Sequence, residues 1–409
     1  MHIKDLKMKT RFFSFIAIIF LLTAIDTFAC TSVIISSKVT ASRCPVMIKN
    51  RDTGELNNRM EYFRGPRYSF IGLVNSPSGN NEVWSGTNSA GFSIMNTASY
   101  NIKDDGIPYS EMDKEGELMY KALGVCQNLA DFEYFLDTLP KPYLVEANFG
   151  IIDAMGGAAY YEVNNYKWIK FDVNEEEKGY RVVTNFSESG RPEDYEGWER
   201  YLTASDFMDN LKKNKEGRYD VDHNVLFEGI SRSYSHKLLG IENLKGQKYA
   251  VDQDFIPRKS TSASTVFEGV QSGDDPKYTV MWTILGYPAC SVSIPLMVWN
   301  CDIIPSYMKK SSESENSVLC DIALQIKSDY VFNLKVSNGN KYFNAENVYK
   351  LIDCAKKAEE KINGDFTLLL CRLKEGRVNE EDFRKSYEKA SEGYFRKYLS
   401  AFASYVKND

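Results

Sequence analysis

The chain has 409 residues, 43% of them apolar and 26% charged, with a formal net charge of -6. That composition supports a folded core and excludes a disordered chain. With no basic run, no phosphate-cradling glycine loop and no CxxC pair among the eight cysteines, neither a nucleic-acid partner nor a metal or other cofactor is expected.

The first 29 residues stand apart. Lys4, Lys7, Lys9 and Arg11 make a positive leader, residues 12–25 form an apolar run broken by Ser14 and Thr23, and Asp26-Thr27-Phe28-Ala29 ends on a small residue. This is the pattern of a secretory signal, and its apolar run is short for a membrane span of roughly 20 residues. The reading is an exported protein, periplasmic or extracellular, whose signal (1–29) is removed by signal peptidase.

After it, residues 31–37 and 45–50 read as two strands of a hairpin, left by the turn Arg51-Asp52-Thr53-Gly54. Short strands at 68–74, 82–84 and 91–96 follow, separated by Gly, Asn and Ser. Residues 55–80 and 186–200 are expected to include pocket loops, with Tyr62, Phe63, Tyr68 and Phe70 suited either to an apolar acyl group or to a core strand. Between 109 and 139 apolar residues recur every three or four positions, which reads as two amphipathic helices, stopped by Pro140 and Pro142. Strand signals return at 148–153, 158–163, 168–171 and 180–185. Residues 194–211 and 224–240 read as helical, and 265–270, 278–285 and 291–298 as strands. A polar linker at 311–317 leads to helices at 319–326, 344–362 and 380–405. Strands followed by helices argue for an α+β fold, two antiparallel sheets packed together and covered by helices. The expected division is 1–29 signal, 30–303 catalytic domain and 304–409 a helical extension, serving either packing or oligomerisation.

Cys30 is the residue of greatest interest. A lone cysteine is usually a small buried hydrophobe, but this one directly follows the cleavage pattern, so its own α-amine is set free there. An α-amine, with a pKa of about 8, can serve as a base beside the thiol without a histidine. Only His223 and His236 remain beyond the signal, and both read as surface or helix histidines. A lipid-anchored cysteine is the rival reading. It fits poorly, because Thr27 and Phe28 are wrong for a lipoprotein signal and a strand rather than a tether follows.

The chemistry needs further groups. Asp52, after the strand paired with that of Cys30, is placed to hold the α-ammonium. Lys49 and Arg51 flank it and are candidates for lowering the thiol pKa. Asn96 and Asn185 end strands as candidate oxyanion donors. Arg200 lies on a helix soon after Asn185. Each has a bland reading, as a turn residue or a solvated helix arginine.

Taken in order, Cys30-Thr31, Lys49-Asn50-Arg51-Asp52, Gly86-Thr87-Asn88-Ser89-Ala90-Gly91 through Asn96, Thr184-Asn185 and Arg200 resemble the N-terminal-nucleophile (Ntn) hydrolases. The closest branch is that of choloylglycine (bile salt) hydrolases, penicillin V acylases and acyl-CoA:6-aminopenicillanate acyltransferase-like proteins. The resemblance covers about 30–300. It implies a four-layer αββα sandwich, with Cys30 as nucleophile and, through its amine, base. Asp52 would bind amine and thiol, Asn96 and Asn185 the oxyanion and substrate, and Arg200 would support the site electrostatically. The family often has arginine at the position of Lys49, which leaves the thiol-activating role open between Lys49 and Arg51. The implied activity is hydrolysis of a linear amide in a small N-acyl substrate through an acyl-enzyme, with acyl transfer by the same site as the alternative. Bile-acid amides, penicillins and fatty-acyl amides all stay open as substrates.

Overall fold

The computed structural model describes residues 29–77, 81–252, 254–334 and 342–406; the expected signal lies outside them except for Ala29. Two antiparallel sheets form the centre. One has six strands in the order β10-β1-β2-β12-β13-β14, the other seven in the order β3 to β9. The first is built from β1 (Thr31–Ile35), β2 (Val46–Asp52), β10 (Tyr180–Val183), β12 (Thr261–Glu268), β13 (Val280–Leu285) and β14 (Ile294–Leu296). The second is a meander of β3 (Asn58–Arg64), β4 (Ser69–Asn75), β5 (Ser85–Asn88), β6 (Ser93–Ala98), β7 (Ala147–Ile152), β8 (Ala158–Val163) and β9 (Trp168–Asp172). A two-stranded ribbon, β11 (Ala250–Val251) with β15 (Tyr342–Phe343), lies apart.

The sheets face each other. Gly150 of β7 lets Ile34 of β1 and Met95 of β6 close over it, and Tyr160 of β8 donates to Ser32 of β1 across the gap, 3.0 Å. Helices α1 (Glu115–Val125) and α2 (Leu129–Thr138) cover the outer side of the seven-stranded sheet, closing an apolar layer around Phe92, Phe132, Phe149 and Tyr161. Against the six-stranded sheet lie α3 (Trp198–Asp209), α4 (His223–Leu226), α5 (Val318–Ile326) and α6 (Ala345–Lys374), with α7 (Glu380–Ala401) packed on α6. The four layers are therefore α, β, β and α. Central strands are covered on both faces, which is why β1 and β2 are buried at every residue.

Residues within 318–334 and 342–402 share one apolar core with the six-stranded sheet. Leu319, Ile326, Leu351, Phe366 and Tyr398 pack with Ile284, Tyr287 and Ile294. A buried ion pair ties the layers: Arg232 meets both Glu359 carboxylate oxygens at 2.7 and 2.8 Å, and Glu359 also accepts from the Ser293 amide. Removing one partner of such a pair costs about 3–5 kcal/mol. Among the described residues no helix is long and apolar enough to cross a membrane.

Several local expectations shift. Strand β2 runs to Asp52, so Arg51 and Asp52 are strand residues and not part of a turn; β12 supplies the backbone partner, with Thr261 opposite Asp52. The region 55–77 is mostly the β3–β4 hairpin, and residues 78–80 lie outside the described residues. Phe63 stacks on Phe70 at 5.0 Å, so these two rings are core and not pocket. The segment 224–240 is helical only through α4 and one wide turn, Phe227–Ser231. There the chain leaves the helix and sends Arg232 into its ion pair. Helix α6 passes residue 362 and runs to Lys374, because Phe366 and Leu373 continue its buried stripe.

Candidate active site

Cys30 immediately precedes β1, the strand held between β10 and β2. It is 7% exposed, and Ala29 before it is fully buried. The Cys30 thiol points to the backbone oxygen of Asp52 at 3.9 Å. Arg200, itself fully buried on α3, reaches in from the helical layer. Its Nη1 donates to the Cys30 carbonyl at 2.7 Å and to Thr31 Oγ1 at 3.2 Å, and its Nη2 to Asn185 Oδ1 at 3.0 Å. Arg200 is thus a buried clamp rather than a solvated helix arginine. Burial pulls its pKa down to about 10, with Arg258 adding to the fall and Asp52 opposing it.

Alternation along β2 sends Lys49 and Arg51 to one face and Asn50 and Asp52 to the other. Lys49 crosses to the second sheet, where Nζ donates to the Trp84 carbonyl at 2.7 Å and to Asn96 Oδ1 at 2.8 Å. Burial lowers its pKa to about 7, the charge of Cys30 working against that fall. Arg51 crosses too, but is spent on Asn58 (2.7 Å) and Asn75 (2.8 Å) of the β3–β4 hairpin and lies 5.2 Å over the Trp84 ring. Burial lowers its pKa to about 10; the charge of Cys30 is the largest opposing influence. Both cations therefore act on the thiol through space, and Lys49 alone also holds a candidate oxyanion donor.

Asp52 points into the other layer. Its Oδ1 accepts from Thr261 Oγ1 at 2.6 Å and from Asn50 Nδ2 at 3.2 Å. Its Oδ2 lies 3.2 Å from Arg258 Nε and accepts no well-directed hydrogen bond among the described residues. Burial raises its pKa to about 6, although Arg258 and Arg200 pull it down. In return, Asp52, Asp254 and Asp252 keep the Arg258 guanidinium above its ordinary value despite burial.

The two asparagines are oriented alike. The Asn96 oxygen is taken by Lys49 and the Asn185 oxygen by Arg200, so each presents its NH2 end as the donor. Asn185 Nδ2 donates to Ala98 O at 3.0 Å, which ties β6 to the end of β10. Cys30, Asp52, Arg200 and Asn185 are thereby linked by hydrogen bonds, while Lys49, which holds Asn96, and Arg51 are coupled to Cys30 by charge.

No family model matches the sequence, and no curated protein matches it. The structure is similar to solved amide-hydrolysing enzymes. An N-acylethanolamine-hydrolyzing acid amidase ortholog from Caenorhabditis elegans is 16% identical, with a TM-score of 0.38 over 60% of this chain and 95% of that one. Penicillin V acylase from Agrobacterium tumefaciens is 14% identical, TM-score 0.40, covering 67% and 87%. A mutant conjugated bile acid hydrolase from Clostridium perfringens is 12% identical, TM-score 0.39, covering 66% and 92%. The latter two are kinds of enzyme named in the sequence resemblance.

Three members of the network carry no mark in the sequence: Arg258, Thr261 and Tyr100. Arg258 and Thr261 flank a polar turn, and only the pairing of β12 with β2 brings them to Asp52. Tyr100 is held by its amide to Asn185 O at 3.0 Å, and burial, then the charge of Cys30, drives its phenol pKa up. The histidines are not surface residues: His223 and His236 are 6% and 3% exposed. His223 sits at the Glu268 end of β12, seven residues from Thr261 and so roughly 23 Å from the Asp52 end. All eight cysteines carry free thiols. Burial pushes Cys126 up to about 12 and Cys320 up to about 11, which marks them as inert packing thiols.

Proposed function

We propose that this chain is an exported cysteine Ntn hydrolase that cleaves a linear amide bond in a small N-acyl substrate through an acyl-enzyme on Cys30. The observation that carries the reading is the buried set of groups around Cys30: Asp52, whose Oδ2 has only the Arg258 charge beside it and no well-directed hydrogen bond, Arg200 on the Cys30 carbonyl, and Lys49 and Arg51 coupled by charge to Cys30, with His223 at the far end of β12. Removal of residues 1–29 frees the α-amine, whose ammonium form pairs with Asp52 Oδ2.

In the neutral form the amine takes the thiol proton, directly or through water. The thiolate attacks the amide carbonyl, and the carbon–sulfur bond forms as the carbonyl π electrons move to oxygen. Asn96 and Asn185, each fixed by a cation on its own oxygen, donate to that oxyanion. The carbon–nitrogen bond then breaks, the leaving nitrogen takes the proton from the α-ammonium, and water hydrolyses the thioester. An acyltransferase differs only in an amine replacing water. A lipid anchor asks for a thioether on a sulfur that is 7% exposed in this fold.

The test is an amidase screen over N-acyl substrates on protein whose intact mass begins at Cys30. Turnover that disappears in Cys30→Ser supports the reading. A mature mass that starts elsewhere, or turnover that survives the substitution, overturns it.

A further inference from the structure

The helical extension reaches the turn beside Asp52 through Lys327. Lys327 opens the wide turn Lys327–Val331 that continues α5. It is 5% exposed and points toward the start of β12. Its Nζ donates to the Lys259 carbonyl at 2.5 Å and to the Thr261 carbonyl at 3.1 Å, and lies 5.1 Å from the Tyr287 ring centre. A buried ammonium is costly unless its protons are used, and here two of the three are spent on one turn.

That turn presents Arg258 and Thr261 to Asp52. Thr261 Oγ1 accepts from the Arg258 amide at 2.9 Å while donating to Asp52 Oδ1 at 2.6 Å. The Thr261 amide returns to the Arg258 carbonyl at 2.9 Å, and the Thr53 amide reaches Ser260 O at 3.0 Å. The pairing of β12 with β2 shifts register between Thr261 and Ala263, a bulge of the kind that leaves a carbonyl outside the ladder and re-aims a side chain. Lys327 grips the carbonyls on the back of this turn, and Asp52 is gripped by the side chains on its front.

We propose that Lys327 is a positioning residue of the active site: by holding the 258–261 turn it keeps Arg258 and Thr261 on Asp52, so that the C-terminal helices set the charge state of the Cys30 site. The proposal rests on the reading of Cys30 and Asp52 given above. Lys327 is faced by Cys290, Asp52, Asp252 and Cys320, and Asp52 by Arg258, Arg200 and Asp252. Loss of the ammonium lets the turn relax, loosens Arg258 from Asp52, and makes the carboxylate easier to protonate.

The experiment compares Lys327→Met and Lys327→Arg with the mature parent protein, using two readouts. One is the pH profile of kcat/KM on the best substrate of the amidase screen. The other needs no substrate: the rate of Cys30 alkylation by iodoacetamide against pH, followed by the mass of the N-terminal peptide. In Lys327→Met the expected result is a kcat lower by roughly ten- to a hundredfold with KM little changed. The acid limb moves up by about one pH unit in both profiles, and Lys327→Arg restores most of each. Unmoved profiles in folded Lys327→Met, judged by far-ultraviolet circular dichroism, overturn the proposal. If that variant does not fold, Lys327→Gln, which keeps an amide donor, takes its place. Failure of both to fold also overturns the proposal, since Lys327 is then a residue of core stability. A shifted alkylation profile without turnover of any acyl amide sinks the proposed reaction and leaves the positioning role standing.

Discussion

The two ends of β12 each carry a carboxylate beside a basic partner, and they are tuned in opposite directions. At one end Thr261 faces Asp52, whose pKa rises to about 6 because burial outweighs Arg258 and Arg200. At the other end Glu268 is lowered: burial would raise it, but the His223 ring, the His223 amide and Trp282 Nε1 all donate to it, at 2.9, 3.0 and 3.0 Å. His223 also lies flat on Trp282, ring centres 3.5 Å apart. Glu268 has both oxygens occupied and a stacked partner, which is how a structural carboxylate is satisfied. Asp52 Oδ2 has Arg258 Nε 3.2 Å away but accepts no well-directed hydrogen bond among the described residues, and a buried carboxylate left short of donors in this way is a candidate for reaction. The same strand thus separates holding from reacting by the number of donors that reach each carboxylate.

The sharpest way to break that contrast starts with the thiol. Cys30→Ala is expected to lower kcat/KM by roughly 10³-fold or more while the melting temperature stays near that of the parent, measured by kinetics and calorimetry on one preparation. Next, Asp52→Asn should cost roughly 10²- to 10³-fold in kcat. Glu268→Gln should leave kcat within about twofold and lose about 1 kcal/mol in urea unfolding. Equal losses of activity at the two ends would erase the distinction. Asn96→Ala and Asn185→Ala should each lower kcat about 10²-fold with a modest change in KM.

The smallest effects lie in pH. Activity should decline as pH falls through the Asp52 pKa, which is about 6 in the uncut chain and lower once the freed ammonium lies beside it, because a protonated Asp52 no longer holds the ammonium. Stability follows a different pair. His223 is raised above 6.5 despite burial, through Glu268, so its contribution is complete below 6.5 and fades as pH climbs through the folded value. Glu268 is lowered, so its contribution is complete above 4.5 and fades as pH drops through its folded value. The pair therefore stabilises most between 4.5 and 6.5, and His223→Gln should flatten that maximum in chemical unfolding measured across pH.

Much of this was legible along the chain, and the gaps have physical causes. The β1–β2 hairpin is local, so Cys30, Lys49, Arg51 and Asp52 are neighbours in sequence before they are neighbours in space. Alternating short strands announced two sheets, and three- and four-residue spacings announced α1 and α2. Contacts across great separations were silent: Thr261 meets Asp52 from 209 positions away, and Lys327 meets Thr261 from another 66. Arg200 looked solvated because its helix is short and polar; only the docking of α3 over β1 shows that its guanidinium goes inward. The burial of the histidines was silent too, since the stacking of His223 on Trp282 and the edge contact of His236 with Phe255 leave no periodic trace.

On the proposed reading, in which the chain is cut before Cys30, the full burial of Ala29 beside a carbonyl that Arg200 already grips would put a clock on maturation. The bond between Ala29 and Cys30 lies beneath the finished surface, so a separate protease reaches it only while the chain is still open. Folding and cutting are then in a race. If Cys30 is the nucleophile proposed above, a chain that closes first would seal it behind an amide, and the yield of active protein would be decided by which of the two is faster, before any substrate arrives.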